Sequence, residues 1–99
     1  MGDVPFRCDV ALIVGAASGI GRAVADQLSD EGCRVFLADL DEDRVAAVAE
    51  SIVRRGGSAE SLLVDASNSR SVEAMFRAVR DRSERLDFLV NPFGHLDDT

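Results

Sequence analysis

Short apolar runs alternate with segments of helical period along the 99-residue chain. Asp9 to Val14 is a nearly continuous apolar run ended by Gly15, the pattern of a strand covered on both faces. Ile20, Val24 and Leu28 then recur at i, i+4 and i+8, with Ala23 and Ala25 beside them. They form one helical stripe that stops near Gly32. Arg34 to Asp39 reads as a second buried strand. From Asp41 the helical period returns, and Val45, Val48, Ala49 and Ile52 share a face. Asp41, Glu42 and Asp43 crowd its first turn, Arg54 and Arg55 its last, and Gly56-Gly57 ends it, a charge order that suits the helix dipole. Ser61 to Val64 is a third strand stopped at Asp65. Asn68 is an N-cap for a third helix with the stripe Val72, Met75, Phe76 and Val79, and Leu86 to Val90 is a fourth strand. Strand–helix–strand three times over, with short connections, predicts an α/β fold: a parallel sheet with right-handed crossovers and helices on both faces.

Composition narrows what such a domain does. Its length makes residues 1–99 one domain, near the small end of what buries a core without extra staples. No apolar run approaches the roughly 18 residues of a membrane span. Met1 to Val14 carries Asp3 and Asp9 and runs straight into Gly15, unlike a signal peptide. Gly2 follows Met1, but Phe6 stands where a myristoylation signal wants Ser or Thr. A cytoplasmic protein without a membrane partner is expected. The net charge of −7 argues against nucleic acid, whose phosphates need clustered positive charge. All eleven basic residues are Arg, and the chain has no Lys, Tyr or Trp, which excludes any mechanism needing a lysine or tyrosine from these residues alone. Cys8 and Cys33 each precede a strand and would lie close if those strands were neighbours, but two reduced, partly buried thiols are the expected state. His95, the sole histidine, gathers no metal cluster and reads as an exposed tail residue.

The first strand runs into Gly15-Ala16-Ala17-Ser18-Gly19-Ile20-Gly21, which opens the first helix. One glycine allows a sharp turn off the strand, another lets backbone amides approach a pyrophosphate, and a third lets the helix pack closely. The phosphate charge then faces the helix N-terminus. Residues 15–21 are thus expected to form a cradle whose amides aim at a diphosphate; a tight turn without a ligand is the plainer alternative. Asp39 ends the second strand roughly 20 residues past this loop, where a carboxylate accepts hydrogen bonds from ribose hydroxyls. Its charge would repel an added 2′-phosphate, and no Arg stands at Ser18 or Leu40 to neutralise one. NAD is therefore the expected cofactor, in preference to NADP, with Asp41 left to cap the next helix.

At this point the chain resembles the short-chain dehydrogenase/reductase family. Gly15, Gly19, Ile20 and Gly21 match its T-G-x-x-x-G-I-G loop, with Val14 in place of the threonine. Asp39 matches the acidic residue of NAD-preferring members. Asp65, in Val-Asp-Ala-Ser, matches the aspartate that contacts adenine, with Ala66 supplying backbone there. Leu86-Asp87-Phe88-Leu89-Val90-Asn91 is similar to L-D-x-L-V-N, which leads into the family's N-N-A-G. The resemblance spans Val10 to Asn91. It implies a Rossmann-like, doubly wound sheet of four strands in order 3-2-1-4 with three helices, a cofactor-binding half of an NAD(P)-dependent oxidoreductase that moves hydride between NAD and an alcohol/ketone pair. It implies Gly15, Ser18, Gly19, Ile20, Gly21, Asp39, Leu40, Asp65, Ala66, Asn91 and Gly94 as cofactor-binding residues.

Two departures qualify that picture. N-N-A-G stands as Asn91-Pro92-Phe93-Gly94, where Pro92 removes a backbone donor and Phe93 puts bulk in place of alanine, changes that bear on cofactor affinity. The family's catalytic Ser and its Tyr-x-x-x-Lys pair have no counterpart here, so the 99 residues alone are expected to be catalytically incompetent, with 92–99 a divergent tail of a truncated product. A second reading is an inert or self-associating remnant: the family's fourth strand is internal, so Leu86 to Val90 would offer an edge for self-association. A receiver-like signalling domain would use Asp65, but it needs an acidic pair after the first strand and a lysine, and both are missing. A phosphate-binding NTPase loop fails for want of the same lysine.

Overall fold

A strand covered by helices on both faces must be apolar at every position, and Val10–Val14 (β1) is buried at all five of its residues. The computed structural model describes residues 8–17 and 19–91. The expectations for Ser18, for Asn91's successors Pro92, Phe93 and Gly94, and for His95 lie outside the described residues. After β1 come α1 (Gly19–Asp30), β2 (Arg34–Asp39), α2 (Glu42–Arg54), β3 (Ala59–Leu63), α3 (Ser69–Arg82) and β4 (Phe88–Val90). All pairings are parallel, and the sheet order is β3-β2-β1-β4. The doubly wound, Rossmann-like class and its 3-2-1-4 order are therefore as expected.

Strand alternation sorts the core into two layers. Ala11, Ile13, Val35 and Leu37 point to one face, where Ala25 of α1 and Val45, Val48, Ala49 and Ile52 of α2 cover them. Val10, Leu12, Val14, Phe36 and Ala38 point to the other, against Val72, Met75 and Val79 of α3, with Phe76 packed beside them. The apolar faces of α2 and α3 are those that the periodicity predicts. Asp41 caps α2, its side chain accepting the Arg44 amide, and Asn68 caps α3 in the same way through Arg70 and Ser71. No described helix is long and apolar enough to cross a membrane.

Four expectations change. The stripe Ile20, Val24, Leu28 faces the core only in part: α1 buries Gly21, Ala25 and Ser29 fully, Val24 and Leu28 pack half-buried against the core, and Ile20 is 70% exposed. The cause is close approach. A Cβ at Gly21 would stand 2.1 Å from the Gly15 carbonyl oxygen, so small residues take the contact line and larger ones are turned aside. β3 begins and ends earlier than Ser61 to Val64. β4 is shorter than Leu86 to Val90, and as an edge strand of the described sheet it leaves Leu89 44% exposed. Finally, Cys8 and Cys33 form a disulfide rather than two reduced thiols. The register of β1 on β2 sets Val10 against Arg34, and the residues just before the two strands meet at a Cα–Cα distance of 5.4 Å.

Candidate functional site

Strand order reverses at β1, which pairs with β2 on one side and β4 on the other. In open parallel sheets a crevice opens at such a point, beyond the C-terminal ends of the strands. Here the chain leaves β1 through Gly15, whose φ of +81° favours glycine, and enters α1 four residues later. The Gly15 and Ala16 amides donate to the Ala38 carbonyl at 2.8 and 3.2 Å. The Ala17 amide donates to Asp39 Oδ2 at 3.0 Å, and the Asp41 amide to Asp39 Oδ1 at 3.0 Å.

Not all of the loop's amides are therefore open to the cradle expected over residues 15–21. Those of Gly15, Ala16 and Ala17 are spent on the end of β2. The backbone donors the geometry offers a ligand are those of Gly19, Ile20 and Gly21, which open α1 and have no helical carbonyl four residues behind them.

The structure gathers Gly15, Asp39, Leu40, Asp65 and Ala66 around one cleft of about 410 Å³. Gly19, Ile20 and Gly21 stand outside its lining, at the start of α1, and Asn91 follows β4. Ser18 and Gly94 lie outside the described residues. Asp65 is fixed within its own turn: Oδ1 accepts the Ser67 amide at 3.0 Å and the Ser67 hydroxyl at 2.7 Å. These bonds, the hydroxyl first, hold its carboxyl below the usual carboxylate range, so it is ionised at neutral pH. The Asp65 amide in turn donates to Ser71 Oγ at 2.8 Å, which ties the turn to α3.

Sequence reasoning missed six lining residues: Val14, Ala17 and Val64, and the polar Asp41, Arg44 and Ser67. It weighed only positions 18 and 40 as places for a neutralising arginine, yet Arg44 reaches the same cleft from the first turn of α2. The signal was available, because helical side chains lean toward the N-terminus and cover the turn before their own Cα.

A family model described as short chain dehydrogenase matches residues 9–99. The chain is 38% identical over 84 residues to an uncharacterized oxidoreductase, YxbG, of Bacillus subtilis, covering 85% of this chain and 31% of that one. It is 39% identical over 89 residues to a 3beta-hydroxysteroid dehydrogenase of Mediterraneibacter gnavus, covering 90% and 32%. Among solved structures, a metagenomic short-chain oxidoreductase in complex with NADP is similar with a TM-score of 0.78 and 40% identity, over 82% of this chain and 37% of that one. The chain thus spans about a third of the length of the relatives it matches.

Proposed function

The chain belongs to the short chain dehydrogenase family, and from that premise we propose that it is the segment of such an oxidoreductase that holds a nicotinamide dinucleotide, NAD in preference to NADP. One observation carries the reading: the Asp39 carboxylate sits at the cleft and turns toward the glycine loop rather than away from it. In this reading the α1 amides of Gly19, Ile20 and Gly21 meet the diphosphate, and Gly15 shapes the turn. Asp39 and Leu40 border the adenosine ribose, Asp65 and Ala66 the adenine, and Asn91, just after β4, flanks the adenosine.

The residues fit such a group. The cleft volume lies within the range of small-ligand sites, and Gly21 packs so tightly on Gly15 that the helix N-terminus is brought up to the turn. That a similar oxidoreductase is solved with NADP supports the dinucleotide class; the choice of NAD rests on the charge of Asp39. When bound, the nicotinamide accepts or gives the hydride, and the protein supplies binding and orientation. With no tyrosine or lysine among the 99 residues, this segment binds and orients and does not manage the proton of an alcohol/ketone interconversion.

Calorimetric titration with NAD, NADP and ADP-ribose tests the reading. Binding of NAD and ADP-ribose that is lost in Asp39→Ala and Gly19→Val supports it; no heat from any of the three refutes it. A second reading, a self-associating segment, draws on the exposed Phe88 and Leu89 along the β4 edge. Sedimentation at rising concentration decides that one, a monomer throughout being the contrary result.

A further inference from the structure

Resting on the reading that this cleft takes a nicotinamide dinucleotide, we infer that Arg44 sets how strongly the cleft discriminates against a phosphate on the adenosine 2′-hydroxyl. The cleft lining carries three carboxylates, Asp39, Asp41 and Asp65, and Arg44 is its sole cation among the described residues. Two of the carboxylates are locked in place. Asp39 is held by the Ala17 and Asp41 amides, and Asp65 by Ser67. Neither can swing away from an incoming anion without breaking those bonds.

Arg44 is held differently. Its backbone is fixed, because its amide donates to Asp41 Oδ1 at 3.1 Å in the cap of α2. Its side chain is 66% exposed, and Nε stands 4.0 Å from Asp41 Oδ2, an ion pair at the outer limit of contact. A guanidinium so loosely engaged costs little to redirect, and its planar fork matches phosphate oxygens. The end of β2 and the start of α2 therefore hold opposed charges. Asp39 repels a 2′-phosphate, Arg44 compensates it, and Asp41 competes for Arg44. Leu40, between Asp39 and Asp41, adds no charge.

The experiment is calorimetric titration of the full chain with NAD and with NADP, for the wild type, Arg44→Ala, Arg44→Lys and Asp41→Asn. Asn caps a helix about as well as Asp, so Asp41→Asn removes the competing charge while keeping the cap. Arg44→Ala is expected to lower the NADP-to-NAD affinity ratio by roughly 3- to 10-fold. Arg44→Lys should restore part of the NADP affinity, and Asp41→Asn should tighten NADP about 2-fold or more. Salt should erode the NADP affinity of the wild type more than that of Arg44→Ala, since screening acts on the charge pair that the variant lacks.

An unchanged NADP-to-NAD ratio in Arg44→Ala overturns the inference while leaving the dinucleotide reading intact. So does NAD binding with no NADP binding in both the wild type and Asp41→Asn. If the wild type binds neither nucleotide, the dinucleotide reading falls, and the role of Arg44 falls with it.

Discussion

Asp39 at the end of β2 accepts the amide of Ala17, 22 residues earlier in the chain, at 3.0 Å. The carboxylate assigned to a ribose thus also fastens the turn that follows β1. Its other oxygen takes the Asp41 amide at the start of α2, so one side chain ties two connections together. Asp39→Ala should lose both bonds and cost about 1–3 kcal/mol of stability, the usual range for hydrogen bonds to a charged group. Asp39→Asn, which keeps one acceptor oxygen, should lose less. Urea unfolding of the three proteins checks the order, and equal midpoints for wild type and Asp39→Ala would refute the fastening role.

Gly21 and Gly32 are glycines for different reasons, and alanine separates them. At Gly21 a Cβ would meet the Gly15 carbonyl oxygen at 2.1 Å, a backbone atom that cannot move aside cheaply. At Gly32 a Cβ would meet nothing within 4 Å, and only its φ of +92° opposes a side chain. Gly32→Ala should therefore cost roughly 1–2 kcal/mol, the penalty of left-handed backbone. Gly21→Ala should cost at least about 3 kcal/mol or displace α1 from the turn. Thermal and urea unfolding of both variants would show it, and similar losses in the two would contradict the close-approach argument.

Much of this architecture is legible in the sequence because burial on two faces leaves continuous apolar runs. Val10 to Val14 and Arg34 to Asp39 show it, and the face of α2 follows from Val45, Val48, Ala49 and Ile52. The caps Asp41 and Asn68 are local and equally readable. What the chain hides is set by contacts between distant segments. Ile20 is exposed because Gly21 must touch Gly15, a fact that no periodicity within α1 carries. The disulfide depends on the register of β1 against β2, and the loss of the first three loop amides to Ala38 and Asp39 depends on where β2 ends.

Acid should weaken the fold partly through Asp87. Its carboxyl is held below the ordinary carboxylate value by a hydrogen bond from the Arg85 guanidinium and then by the Val10 amide, whose nitrogen lies 2.8 Å from Oδ2. A pKa lowered in the folded state contributes stability that is present above the unfolded value of about 3.9 and is lost as pH falls through the folded one. Wild-type stability should therefore decline more steeply below about pH 4 than that of Asp87→Asn. The gap between the two proteins should narrow as the pH falls. Urea midpoints measured across that range test this, and a gap of constant size would count against it.

The Cys8–Cys33 disulfide closes a loop over a sequence separation of 25, around β1 and α1. Chain-entropy arguments give a cross-link of that span about 3 kcal/mol. The double variant Cys8→Ala and Cys33→Ala should lose stability of that order, and a reducing agent should destabilise the wild type but leave the variant unchanged. Peptide mapping without reductant gives the pairing directly, and free thiols in the folded protein would contradict it.

Whether the cleft and the start of α1 hold a dinucleotide is read most directly by an amide NMR titration of the isotopically labelled chain with NAD. Shifts are expected at Gly19, Ile20 and Gly21 and around the cleft at Asp39, Leu40, Asp65 and Ala66, with Gly32 and Gly56, at the C-terminal ends of α1 and α2, undisturbed. Shifts confined to residues away from α1's first turn and the cleft, or a spectrum unchanged at saturating NAD, would contradict it.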